Sequence, residues 1–103
     1  MRNQLIEAEK KATLLFNTIE NRGLIVEGKS ERTLNSEIYN LANEVLGIKK
    51  FWHKRIVRAG RNTLLPYKEN PPDLILQSDD ILFFDLGPVL ENWEADIGKT
   101  YVI

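Results

Sequence analysis

The sequence predicts an α+β domain in which two helices pack on an antiparallel sheet. Helical periodicity is confined to the first half of the chain and strand-forming segments to the second. The resulting order of helix, helix, strand and a final pair of strands lacks the alternation that builds a βαβ sheet. All of it lies within 103 residues, so 1–103 is expected to form a single domain with one core.

Leu5, Ala8, Ala12, Leu15, Phe16 and Ile19 recur at steps of three and four residues, with Glu and Lys on the other side, and predict an amphipathic first helix. Asn21-Arg22-Gly23 ends it, because glycine accepts the left-handed backbone that closes a helix. Leu24-Ile25-Val26 is too short to assign. Ser30 is the expected N-cap of the second helix, and Glu31 places an acid in its first turn. Leu34, Ile38, Leu41, Ala42 and Val45 form its apolar stripe, and Gly47 stops it. Arg55-Ile56-Val57-Arg58 reads as a short strand running into Gly60. Residues 62–72 read as loop, since Pro66, Pro71 and Pro72 deny a ladder its donors. Ser78-Asp79-Asp80 is a turn. Ile81–Leu86 is dense in residues that favour a buried strand, and 93–103 alternates in part before ending in Tyr101-Val102-Ile103.

Composition excludes several functions. With 14 basic and 15 acidic side chains, the net charge of −1 exerts no long-range pull on nucleic acid or an anionic membrane. The absence of cysteine rules out a disulfide framework and thiolate metal sites, and fits a reducing cytoplasm. The N-terminal MRNQLIEAEKK has acids in its first turns and no apolar run, unlike a signal peptide, and no stretch is long enough to cross a bilayer. A cytoplasmic protein is the expectation.

Chemistry concentrates in two aspartates. If the strands through Asp85 and Asp96 form a hairpin about Leu90-Glu91, the two residues lie directly opposite, with Cβ atoms about 4.5–5.5 Å apart. Opposed like charges beside Phe83 and Phe84 repel, and a cation between them or a shared proton relieves the repulsion. All-oxygen ligation favours hard ions such as Mn²⁺ or Mg²⁺. A symmetric four-residue loop, Val89–Asn92, keeps the same pairing, whereas a bulge does not. Spacing alone leaves open that the aspartates flank turns, cap backbone groups or face water.

The segments Asp85-Leu86-Gly87-Pro88 and Asp96-Ile97-Gly98-Lys99-Thr100 resemble the "D-x-G … D-x-x-R-T" signature of the pita-bread metallopeptidases, the family of methionine aminopeptidase, aminopeptidase P, prolidase and creatinase. The offset of eleven residues between the aspartates matches that family. Gly28 with Ser30-Glu31 is similar to its "G-x-T-E" helix start, Ile56-Val57 through Gly60 and Asn62 to its "I-V-x-x-G-x-N", and Asp79-Asp80-Ile81-Leu82 to its "G-D-I-V". The resemblance covers essentially the whole chain and implies the N-terminal half of the catalytic domain.

For this sequence the resemblance implies that Asp85 binds one metal through both oxygens and that Asp96 bridges two. A divalent pair (Mn, Co, Fe or Zn), about 3.5–4 Å apart, then activates water and polarises the scissile carbonyl. A histidine and two glutamates of the family's second half complete that cage, and they lie beyond the positions this chain matches. His53, the only histidine, precedes both aspartates and is out of order for that ligand. The family's substrate-contacting histidine is replaced in the loop Thr63–Tyr67, where Tyr67 offers a hydroxyl, and Lys99 replaces the arginine. With three of five ligands missing, the expectation is a truncated Xaa-Pro peptidase-type domain of little or no activity and weak metal affinity. Completion in trans by a C-terminal half would provide hydrolysis of peptide substrates. The alternative is a non-catalytic association module, a homodimer or partner-binding scaffold, because uncovered apolar faces and a terminal strand invite pairing.

The remaining candidates are secondary. On the resemblance, Trp52, His53 and Tyr67 are expected along the substrate cleft, although aromatics in a helix-to-strand connection also serve as core anchors. Thr100 shares the Asp96 face and is a candidate hydrogen-bond donor to a metal-bound carboxylate, or simply a strand-favouring residue. Lys49, Lys50, Lys54, Arg55, Arg58 and Arg61 form the only basic cluster, which with Phe51 and Trp52 suits nucleic acid by residue type but not by overall charge. Trp93 and Tyr101 read as packing residues, and Glu91 and Glu94 as solvent-exposed.

Overall fold

The computed structural model describes residues 2–90 and 93–103. Helix α1 spans Arg2–Asn21 and α2 spans Glu31–Leu46. Strand β1 (Ile56–Ala59) runs into a single 3-10 turn at Gly60–Leu64, and β2 (Ile81–Leu86), β3 (Val89–Leu90), β4 (Trp93–Glu94) and β5 (Ile97–Val102) follow. The architecture is the expected one: two helices on an antiparallel three-stranded sheet of order β1-β2-β5, extended by the β3-β4 ribbon.

The α2 boundaries follow from its caps. Ser30 Oγ accepts the Thr33 N–H at 3.0 Å, and Gly47, at φ 68°, turns its N–H back to the carbonyls of Ala42 and Asn43. Leu34, Ile38, Leu41 and Ala42 are buried as their spacing requires. On α1 the buried positions are Leu15, Phe16 and Ile19, whereas Leu5 is 57% exposed. The fully buried part of the stripe is its C-terminal half, with Ala8 and Ala12 partly buried against the core.

Strand β2 is the centre of the sheet and alternates cleanly. Leu82, Phe84 and Leu86 point into the helices and are buried, while Ile81 and Asp85 face out. Phe84 stacks on Phe16 of α1 with ring centroids 6.2 Å apart. Helix α1 is also tied to β5, where the Tyr101 hydroxyl donates to Glu20 at 2.9 Å and Lys99 reaches the same oxygen at 3.1 Å. Those two donors hold the Glu20 carboxyl below its usual range. Burial and the Glu20 contact push the Tyr101 hydroxyl above its own.

The hairpin register differs from the expected one. β2 and β5 pair with Leu86 opposite Ile97 and Asp85 opposite Gly98, and the same count continues through Val89 opposite Glu94 and Leu90 opposite Trp93. Asp85 and Asp96 are consequently diagonal rather than directly opposed. Strand β3 occupies two of the four positions expected to form a loop, leaving only residues 91 and 92 between it and β4. Glu91 itself lies outside the described residues. Ladder pairing extends two residues further along the first strand than turn chemistry suggests.

Candidate metal centre

The register places two glycines beside the two aspartates. Gly98 faces Asp85, and continuing the count sets Gly87 across from Asp96. Each acid thus has a neighbour without a side chain, which clears a floor between them.

His53 fills that clearing. Its approach begins where Phe51 bridges Pro88, with Trp52 N–H donating to the Gly87 carbonyl at 2.8 Å and Val89 N–H to the Lys50 carbonyl at 2.9 Å. The next pair along the sheet is Ile56 with Asp85. Residues 52–55 therefore oppose only residues 86 and 87, a bulge that turns the His53 ring over the sheet. The ring lies so close to Gly87 that a Cβ there would come within 2.5 Å of His53 Cδ2. His53 Nε2 ends 3.8 Å from Asp85 Oδ1 and 3.5 Å from Asp96 Oδ1. One ligand atom from each of the three residues lies within 4.8 Å of the others.

Other expected site residues are arranged around this group. Trp52 meets the His53 ring edge-on at 4.5 Å, and its Nε1–H donates to the Ala95 carbonyl at 2.8 Å. It thereby clamps the short break between β4 and β5 from which Asp96 projects. Tyr67 stands edge-on to the other side of His53 at 5.7 Å. Thr100 is exposed and opposite Phe83, and among the described residues it makes no side-chain hydrogen bond to either aspartate.

The solvent exposure corrects a premise. Asp85 and Asp96 side chains are 52% and 72% exposed, so water screens their repulsion and desolvation does not demand a cation. The sequence places His53 along the cleft but not between the aspartates, a position that depends on a bulge no local pattern announces.

Three members of the basic cluster, Lys54, Arg55 and Arg58, make structural contacts, whereas Lys49, Lys50 and Arg61 are exposed. Arg58 is buried and its guanidinium donates to the carbonyls of Leu65, Pro66, Tyr67 and Glu69. That fan of acceptors folds the 65–69 loop and holds Tyr67 against His53. Arg55 donates to Asn35 at 2.6 Å and lies over the Tyr39 and Phe51 rings. Lys54 reaches the Glu69 carbonyl and Asn70. These three groups are engaged in packing and loop contacts.

A family model described as metallopeptidase family M24 matches residues 3–103. The chain belongs to that family. Among solved structures, the M24 chain is similar to an X-Pro aminopeptidase from Thermotoga maritima MSB8, with 21% identity and a TM-score of 0.77 over 91% of this chain and 25% of that one. A recombinant prolidase from Thermococcus sibiricus shares 28% identity at a TM-score of 0.74, over 95% of this chain and 27% of that one. The prolidase from Pyrococcus furiosus shares 26% at a TM-score of 0.71, over 94% and 30%. The M24 chain thus spans about a quarter to a third of the length of these structures, and its fold is the helices-on-sheet half of the pita-bread architecture. No curated protein matches it. The family is metal-dependent, and the donor set here, one imidazole and two carboxylates, is chemically suited to a divalent cation. No helix among the described residues is long and apolar enough to cross a membrane.

Proposed function

We propose that this segment is the aspartate-bearing part of an Xaa-Pro-type metallopeptidase domain, with Asp85 and Asp96 as metal ligands. The convergence of these two side chains on one clearing, in a chain of family M24, carries the proposal. The names of the similar structures, X-Pro aminopeptidase and prolidase, support the substrate class.

A bound divalent cation supplies Lewis acidity toward a peptide carbonyl and lowers the pKa of coordinated water. The protein's own contribution is positional. Asp85 is fixed in the ladder between β1 and β5. Asp96 is fixed by the Trp52 clamp on Ala95 and by the Ala95 N–H donated to Pro88. Tyr67, held by the Arg58-bound loop, walls one side of the approach. These 103 residues hold one histidine, and on the family resemblance a histidine and two glutamates of the second half are still needed. The segment alone is therefore expected to bind metal weakly and to cleave Xaa-Pro dipeptides little or not at all.

Calorimetric titration with Mn²⁺ tests the ligands. The unaltered chain should release heat that an Asp85→Asn, Asp96→Asn double variant does not. Identical heats for both would remove the metal site.

Exposed apolar groups favour a second role in association. β5 is an edge strand, Val102 on it is 74% exposed, and neighbouring Ile81 is 51% exposed. Self-pairing or docking of a complementary half would cover them. A single monomeric boundary in sedimentation velocity at high concentration would argue against self-pairing.

A further inference from the structure

We infer that His53 is itself a ligand, so that this segment holds one divalent cation through three side chains, His53, Asp85 and Asp96. The inference rests on the metal-centre proposal above and adds to it a nitrogen donor from the bulge.

The hydrogen bond on the far side of the ring decides which nitrogen is available. His53 Nδ1 lies 2.6 Å from the Lys54 carbonyl oxygen. A carbonyl only accepts, so Nδ1–H is the donor there and Nε2 is the ring nitrogen left to meet a ligand. That nitrogen faces Asp85 Oδ1 and Asp96 Oδ1 at 3.8 and 3.5 Å, beyond hydrogen-bonding distance. The imidazole side chain is only 10% exposed, and among the described residues no donor is directed at Nε2. Nε2 and the two carboxylate oxygens therefore converge with no hydrogen bond among them. A cation answers that arrangement. Two bonds of about 2.0–2.2 Å to a shared ion span about 3.5–3.8 Å when they meet somewhat wider than the tetrahedral angle.

The support of the ring is also that of a ligand. Metal-bound histidines commonly donate their second N–H to a backbone carbonyl, which fixes the tautomer and the ring orientation. Here Lys54 provides that carbonyl from the next residue. Trp52 and Tyr67 hold the ring edge-on from two sides, so little rotamer freedom is lost when an ion binds. An imidazole beside two carboxylates is a softer set than carboxylates alone. It moves preference from Mg²⁺ toward Zn²⁺, Co²⁺ or Mn²⁺. The competing arrangement is an imidazolium that pairs with both aspartates and excludes any metal.

Titration with Co²⁺, followed by its visible absorption and by calorimetry, separates these states. The unaltered chain should bind one Co²⁺, with Zn²⁺ displacing it and Mg²⁺ failing to. His53→Gln should weaken binding at least tenfold and change the absorption band. Wild-type affinity and spectrum in His53→Gln, with binding lost in the double aspartate variant, would overturn the inference and leave the two-aspartate proposal standing. Unchanged binding in both variants, or none in the unaltered chain, would remove both. Nitrogen NMR of the unaltered chain guards against misfolding of the variant: Zn²⁺ should shift the Nε2 resonance strongly and leave Nδ1 protonated. An unmoved Nε2 signal at saturating Zn²⁺ would also overturn the inference.

Discussion

Glu31→Ala should destabilise the fold by about 3–5 kcal/mol, the largest effect of any single substitution considered for this chain. The Glu31 side chain is buried, and its carboxylate accepts three hydrogen bonds: from the Ala59 N–H at 2.7 Å, from Asn62 Nδ2 at 2.9 Å and from the Leu74 N–H at 3.0 Å. One side chain at the start of α2 thereby joins the end of β1, the 3-10 turn and the segment leading to β2. Truncation leaves three donors without an acceptor in a desolvated place, each worth about 1–3 kcal/mol, with some relief from water entering the vacated space. A domain of this size has only about 5–15 kcal/mol in total. Urea unfolding should show a large drop in midpoint with unchanged slope, and a thermal midpoint lowered by more than about 12 °C. Glu31→Gln, which keeps one acceptor and turns an N–H₂ toward a donor, should fall between. A loss under about 1 kcal/mol for the alanine variant would show that water replaces the carboxylate fully.

That hub shows where sequence legibility ends. Ser30 and Glu31 were readable as a cap and a first-turn acid because both act within a few residues of their own position. The role of Glu31 as acceptor for groups 28, 31 and 43 residues away depends on tertiary folding. Glu31 and Asn62 each belonged to a motif fragment, and nothing local said that the fragments meet. The same division governs the metal centre. Asp85 and Asp96 were legible from type, spacing and family resemblance. Their register was not, because Leu90-Glu91 reads as the turn centre whereas the ladder centres one residue later, between 91 and 92. One residue at the turn moves every cross-strand partner by two and converts an opposed pair into a diagonal one. Chain order removes His53 from the family's metal-ligand position and leaves it a place along the cleft. Order along the chain excludes a residue from a known motif position but does not exclude it from the site, and the bulge at 52–55 carries it there.

Gly87→Ala should abolish the metal site while leaving most of the fold. Gly87 is absent from the glycines with positive φ, so its backbone conformation is open to alanine and the obstacle is space alone. The added Cβ would meet His53 Cδ2 at 2.5 Å, His53 Nε2 at 2.6 Å and Trp52 Nε1 at 2.8 Å. No real carbon makes such contacts, so one or both rings must move. Displacing His53 removes the nitrogen donor, and displacing Trp52 breaks its bond to the Ala95 carbonyl and loosens Asp96. Overpacking of this kind costs about 1–3 kcal/mol. Co²⁺ affinity should fall at least tenfold, as in His53→Gln, although all three ligands are still encoded. Combining Gly87→Ala with His53→Ala isolates the cause. Removing the His53 ring relieves two of the three close contacts and leaves that with Trp52 Nε1, so the stability loss of Gly87→Ala should shrink in the His53→Ala background while metal affinity stays low. Strictly additive stability losses would mean that the ring and the glycine do not share this space. Wild-type Co²⁺ affinity in Gly87→Ala alone would mean that the clearing between the aspartates is not what seats the ion.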